Sequence, residues 1–292
     1  MNVQPILNGI TAGLLIGLVA LGFNLIYRTA RFLHVAHATT YLLGAYTGIY
    51  LLKQTQVPLS VAVIGAAGAG AILGSLIEVA IYRPLRKARS SSLVLFLSSL
   101  ALVVIMQNLI TLICGSEIQV VRGGFGGKSL TICGGRITEW QALSAVISIA
   151  VYAVVLAGFR LTQIGKKMRA VSSDNVLAAA VGIQEDSIIL IAISCGSALA
   201  GLAGFAVAYD TSITPNSGFG ILLIAITAAI VGGIGSIRGA MVGGLLVGLA
   251  QNIGVWKVPV QWQDAIVFAI LILFLLLRPH GCFGRPLRAV TV

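Results

Sequence analysis

Of 292 residues, 58% are apolar and only 9% charged, and the mean hydropathy is +1.02, whereas an ordinary soluble domain carries roughly 25% charged residues. No soluble fold hides that much apolar surface. The net charge of +11 does not mark a nucleic-acid binder, because the basic residues sit in short connections between apolar runs, where membrane phospholipid is the only polyanion implied.

Lipid offers backbone amides no hydrogen-bond partners, so spanning elements are helices or a closed barrel. The apolar runs here are roughly 16 to 26 residues long without polar/apolar alternation, which makes them helices. They fall at 6–27, 33–52, 57–82, 93–114, 140–159, 187–209, 219–234, 238–254 and 260–277. The first lacks the basic start and small-residue cleavage site of a signal peptide and ends in Tyr27-Arg28, so it reads as a retained helix. The expectation is an all-α, polytopic transmembrane bundle of about nine spans (eight to ten), forming one permease-like domain over 1–292. The short pair 219–234 and 238–254, joined around Gly232-Gly233-Ile234-Gly235-Ser236, also suits a broken or re-entrant helix.

With nine spans and a cytoplasmic C-terminus, fourteen Lys and Arg residues fall inside and five outside. The positive-inside rule then places the N-terminus outside. The outer loop 115–139 is rich in glycine (Gly115, Gly123, Gly124, Gly126, Gly127, Gly134 and Gly135) and is expected to be mobile surface. Within the runs, small residues recur at four-residue spacing: Gly9, Gly13 and Gly17; Gly70 and Gly74; Gly196, Ala200 and Gly204; Gly239 and Gly243; Gly244 and Gly248. This spacing lets helix backbones approach closely.

Two nucleotide motifs are near misses. Gly127-Lys128-Ser129 ends like a phosphate loop but has Arg122 where the first glycine belongs, and Gly233-Ile234-Gly235 reaches its next glycine, Gly239, one place late with no strand before it. No nucleotide site, cofactor or metal is expected. His34 and His37 lie three apart but lack the further ligands a zinc site needs, so a structural or polar-path role is the reading. Glu78, the only carboxylate well inside a run, is either a functional group of the path or an ion-pair partner of Arg83 and Arg86. Cys114 and Cys133 bracket the outer loop and either form a disulfide or stay free; Cys195 and Cys282 are expected reduced.

The inner loop 160–186 carries the sharpest signal. After Gly165-Lys166-Lys167-Met168-Arg169, the cluster Ser172-Ser173-Asp174 offers an N-cap, Asn175 to Val181 a two-turn helix, and Gly182 a stop. So short a helix is marginal alone in water, and it presents Val176, Leu177, Ala180 and Val181, so it should dock on something.

These features together resemble the permease subunits of branched-chain amino acid ABC importers. The family's Ala-His-Gly-Glu segment before a Tyr is similar to Ala36-His37-Ala38-Thr39 with Tyr41 and Leu43-Gly44-Ala45-Tyr46; its Arg-Pro and Gln-Asn pairs resemble Arg83-Pro84 and Gln107-Asn108. The coupling segment resembles Gly165 to Ala170 with Asp174 and Gly182-Ile183, and the late segment Thr227-Ala228-Ala229 through Gly243-Gly244 is the most specific. Ala38-Thr39, Arg238 and Gln251 stand where the family has Gly-Glu, Pro and an acidic residue, which bears on substrate identity and not on architecture. The resemblance implies a subunit in a bacterial inner (plasma) membrane that hydrolyses no ATP itself. Its implied partners are cytoplasmic ATPase subunits, a second, homologous permease subunit and an external solute-binding protein. Gly165, Arg169, Asp174, Val176, Leu177, Ala180 and Gly182 would couple to the ATPase, and His37, Thr39, Glu78, Gln107 and Asn108 would border the path of a branched-chain amino acid or related small polar solute. A secondary transporter or channel is the rival class, for which Glu78 and the 232–235 break are the only support. A membrane enzyme would need a clustered nucleophile and base that the chain lacks.

Overall fold

The computed structural model describes residues 3–55, 57–120, 129–132, 134–256 and 258–284. Each apolar run is occupied by a helix. These are α1 (Gln4–Ala30), α2 (His37–Gln54), α3 (Leu59–Ile77), α5 (Ser92–Cys114), α6 (Glu139–Leu161), α9 (Glu185–Asp210), α10 (Ser217–Gly232), α11 (Ile237–Gly254) and α12 (Gln263–Leu277). A π-helical turn, Glu78–Tyr82, continues α3 into the short α4 (Arg83–Lys87). Loop 160–186 forms α7 (Gln163–Ser173) and α8 (Asn175–Ala180), and a 3-10 turn, Val260–Trp262, precedes α12.

Six helices are long and apolar enough to cross a bilayer alone, or seven spans if α10 and α11 count as one bent pair, with 118° between them. This is fewer than the nine expected, for two local reasons. The α2 run carries His37, Thr39, Thr40, Lys53 and Gln54, and its helix starts only at His37. The His37 ring lies beside Gly22 of α1, itself against Gly196, which is about 16 Å into α9 at 1.5 Å per residue. Residues 31–36 therefore enter the bundle without helical structure, with Phe32, His34, Val35 and Ala36 buried, as irregular backbone at depth is when covered by protein. At the other site, α10 stops at Gly232 because Gly233 (φ 111) and Gly235 (φ 74) take left-handed conformations that side chains disfavour.

Close glycine contacts hold the core. Gly13 of α1 faces Gly244 and Leu245 of α11, where an added Cβ would stand 2.9 Å from the Gly244 carbonyl oxygen, and Gly248 abuts Gly9 and Gly13. Gly70 and Gly74 meet Ser197 of α9, Gly204 meets Tyr41, and Gly243 meets Ala228. The four-residue spacing thus marks backbone crossings, with α1 and α9 at the centre. By contrast, α5, α6 and α12 keep most of their apolar surface outward.

Loop 115–139 carries secondary structure where it is described. Strands β1 (Ser129–Ile132) and β2 (Gly135–Thr138) pair antiparallel, with Ser129 opposite Thr138 and a turn at Gly134 (φ 84). Arg136 exchanges two hydrogen bonds of 2.7 Å with the Gln4 side chain, Gln119 bridges Ile213, and Thr138 closes a capping box with Gln141. Gly123, Gly124, Gly126, Gly127, Arg122, Lys128 and Cys133 lie outside the described residues, and with them the proposed pairing of Cys133 with the exposed Cys114.

Two ends of the bundle are defined by these contacts. One gathers Gln4, Arg136, Lys53, Gln119, Gln141 and Asp210, with Lys53 Nζ 3.2 Å from Gln119 Oε1 and Gln141 Nε2 3.0 Å from Asp210 Oδ2. The other gathers Arg28, Arg31, Arg86, Ser172, Asp186 and Gly235.

Candidate functional site

A polar interior surrounds the start of α2. His34 Nδ1 lies 2.9 Å from the Tyr82 hydroxyl, His37 Nε2 lies 3.2 Å from the Val19 carbonyl oxygen, and the two imidazole centroids are 5.9 Å apart. Gly22 leaves the room for His37, since a Cβ there would come within 3.0 Å of the ring. The π-turn holds Glu78 and Tyr82 both inside, and Tyr82 packs edge-on to Phe32 and His34. Thr39 and Thr40 turn their hydroxyls back onto the carbonyls of Ala36 and His37 at 2.6 and 2.9 Å. His34 Nε2, His37 Nδ1 and the hydroxyls of Tyr41, Tyr46 and Ser197 are buried with no hydrogen-bond partner among the described residues. Such atoms are uncommon in folded interiors, and they concentrate here on α2, its entry segment and the adjoining face of α9.

Of the expected path residues, His37 and Thr39 belong to this interior. Glu78 is also buried, at 1% exposure, but its carboxylate is taken by Arg86. Arg86 also donates to Asp186 Oδ1 at 3.1 Å, and Arg83 donates to Asp186 Oδ2 at 3.0 Å. Two cations thus meet two anions, clamping α3 and α4 to the start of α9. Of the two readings of Glu78, the ion pair is the one whose geometry is present, with Arg86 and not Arg83 as its partner. Gln107 and Asn108 do not join His37: on α5, Gln107 is half-buried, and Asn108 is exposed, its amide on the Val104 carbonyl at 2.8 Å. Among the described residues no three His, Cys, Asp or Glu side chains are grouped to hold a metal.

Loop 160–186 builds a projecting corner. Thr162 caps α7, its hydroxyl accepting Gly165 N–H at 3.1 Å, and Gly165 packs on the Phe159 and Gly158 carbonyls where no side chain fits. Arg169 donates to the Phe159 carbonyl and lies 5.4 Å over its ring. Gly165 and Arg169 are therefore engaged within the corner. The loop holds a helix more than the reading of its caps allowed: Ser172 and Ser173 end α7, and only Asp174 caps α8, accepting Leu177 N–H at 2.9 Å. Its register along Gly165, Met168 and Val171, all buried, was the available signal for α7. On α8 only Ala178 is buried; Val176, Leu177 and Val181 are 76%, 64% and 69% exposed, Ala180 is exposed too, and Gly182 (φ 82) ends the turn.

Asn24 and Arg28 escaped the reading of the residues, although a lone amide and a guanidinium at the end of an apolar run are the signal that finds them. Both grip the α10–α11 bend: Asn24 Nδ2 donates to Ser236 O at 3.1 Å, and Arg28 Nη1 to Gly235 O at 3.2 Å.

A bundle of long apolar helices with glycine-sealed crossings, a polar interior and a capped apolar corner at one end has the architecture of a polytopic membrane protein. A family model described as branched-chain amino acid transport system / permease component matches residues 5–275, and the chain belongs to this family. It is 31% identical to the high-affinity branched-chain amino acid transport system permease protein LivH of Salmonella typhimurium, over 97% of this chain and 96% of that protein. Identity to BraD of Pseudomonas aeruginosa, a permease protein described in the same words, is also 31%, with the same coverage. The probable branched-chain amino acid transport permease LivH of Methanocaldococcus jannaschii is 26% identical over 92% of this chain and 89% of its own. Among solved structures, PsaBC from Streptococcus pneumoniae in complex with Fab shares the fold at a TM-score of 0.52 and 13% identity, over 94% of this chain and 91% of that one.

Proposed function

We propose that this chain is the membrane-spanning permease subunit of an ATP-driven ABC importer for branched-chain amino acids or related small polar solutes, in a bacterial inner (plasma) membrane. It is one permease domain over 1–292 that hydrolyses no ATP and uses no cofactor. Its partners are cytoplasmic ATPase subunits, a second and homologous permease subunit, an external solute-binding protein and membrane lipid. Family membership over nearly the whole chain supports the class and the solute.

The chain passes between the two ends of the bundle nine times, with residues 31–36 completing the passage of α2 and the α10–α11 pair making two. Support comes from the alternation of contacts: Gln4, Lys53, Gln119 and Asp210 at one end, Arg28, Arg86, Asp186 and Gly235 at the other. The arginine-rich end is cytoplasmic and the N-terminus external.

The observation that carries the coupling role is α8. A six-residue helix capped by Asp174 exposes Val176, Leu177 and Val181 to water at the arginine-rich end, and a partner's groove would cover them. Val176, Leu177 and Ala180 would enter that groove, while Gly165, Arg169, Asp174 and Gly182 hold the corner that presents them. Closing of the ATPase pair would then move the permease between outward and inward access, with the solute passing His37, Thr39 and the polar interior near Glu78, and with Gln107 and Asn108 bordering the path from α5.

Leu177→Asp tests this reading. A lone charge in such an interface costs several kcal/mol and leaves the bundle untouched. The variant should insert normally but lose ATPase co-purification and uptake of labelled leucine; normal association and uptake would refute α8 as the coupling contact.

A further inference from the structure

The C-terminal end of α1 meets both the α7–α8 junction and the α10–α11 bend: Arg28 touches both, and Arg31, just past the helix, touches the junction. Arg31 Nη2 donates to the carbonyls of Ser172 and Ser173, at 3.0 and 3.2 Å, immediately before the Asp174 cap. Arg28 Nε reaches Ser172 Oγ at 3.4 Å, its guanidinium lies 4.8 Å over the Phe159 ring that also carries Arg169, and its Nη1 holds Gly235 O at 3.2 Å. Arg28 is thus a single side chain in contact with both the corner that ends in α8 and the bend.

The bend has the local structure of a hinge. Four residues separate two straight helices, two of them glycines at positive φ, and the hydrogen bonds that hold it come largely from elsewhere in the chain. Asn24, one turn before Arg28 on the same face, holds Gly233, Gly235 and Ser236, and Cys282 and Phe283 donate to Val231 O and Gly232 O at 2.9 Å. A few backbone positions between rigid elements absorb most of a hinge motion.

We infer that Arg28 is a positioning residue that ties the α7–α8 corner to the α10–α11 bend, so that displacement of the corner changes the angle of the pair, while Arg31 fastens the corner to the end of α1. This rests on α8 being the ATPase contact. Arginine suits the role because its planar fork bonds in two directions while its face stacks on an aromatic ring.

The test uses the complete importer, with its ATPases, second permease subunit and binding protein, in liposomes. Three quantities are read for Arg28→Ala, Arg28→Lys, Arg31→Ala and the exposed control Lys87→Ala: ATPase co-purification, ATP hydrolysis with and without solute-loaded binding protein, and solute moved per ATP. Arg28→Ala should assemble and hydrolyse ATP, yet its solute per ATP should fall about tenfold, within the usual span of a coupling free energy. Arg28→Lys should recover some of that ratio through the bond to Gly235 O, Arg31→Ala should show a smaller loss, and Lys87→Ala none. A merely structural role would lower hydrolysis and transport together and leave the ratio unchanged, which overturns the inference. If Arg28→Ala fails to insert, Arg28→Lys decides by the same ratio. Loss of ATPase binding in Leu177→Asp with a normal ratio in Arg28→Ala would sink this inference alone; retained binding in Leu177→Asp would sink the reading of α8 beneath it.

Discussion

Asn24 Oδ1 accepts the backbone N–H of Gly235 at 3.0 Å across 211 residues of sequence, while its Nδ2 donates to Ser236 O. One buried side chain in the first helix thus supplies partners that the interrupted α10–α11 backbone cannot find within itself. In Asn24→Leu the half-buried Gly235 amide and Ser236 carbonyl lose this partner, at a cost of about 0.5–1.5 kcal/mol for each bond. The detergent-purified variant should melt several degrees lower; an unchanged melting temperature would mean that the bend holds itself.

The ion cluster predicts an asymmetry between its members. Arg86→Gln strands Glu78 as a buried unpaired carboxylate, and breaking a buried pair this way costs about 3–5 kcal/mol. Glu78→Gln leaves Arg86 with Asp186, so it should cost clearly less. Thermal unfolding of the two proteins side by side measures this, and equal losses would contradict the arrangement.

Glycine contacts separate positions that tolerate a side chain from those that do not. At Gly244 a Cβ would overlap the Gly17 backbone of α1, so Gly244→Val must force α11 away from α1, and overpacking of this kind typically costs about 1–3 kcal/mol or more. At Gly220 a Cβ would meet nothing within 4 Å. Monodispersity after extraction should be lost in the Gly244→Val protein and kept in Gly220→Val.

Sidedness is open to direct labelling. In a cysteine-free background, a membrane-impermeant thiol reagent added outside should modify Glu117→Cys and leave Lys87→Cys untouched until the cells are opened. Labelling of both from one side would reject the nine-passage topology proposed here.

Much of the fold was legible in the residues because it is local. Runs of apolar side chains longer than a bilayer's half-thickness, Asp174 before a short apolar stretch, Gly182 after it and glycine at four-residue spacing each act within a turn or two, where helix periodicity and capping chemistry apply directly. The helix at every run and the glycine crossings of α1 with α11 and of α3 with α9 follow from that. What the residues could not decide was which distant groups meet. Glu78 had two readings until Arg86 and Asp186 stood beside it, the latter about a hundred residues on; Gln107 and Asn108 were grouped with His37 as path residues but do not share its surroundings. The start of α2 at His37 and the bend after Gly232 likewise depend on partners from α1, because a broken helix inside a membrane survives only where other segments of the chain satisfy its backbone. Periodicity encodes which face of a helix is apolar, and only close packing in three dimensions selects the neighbour that face receives.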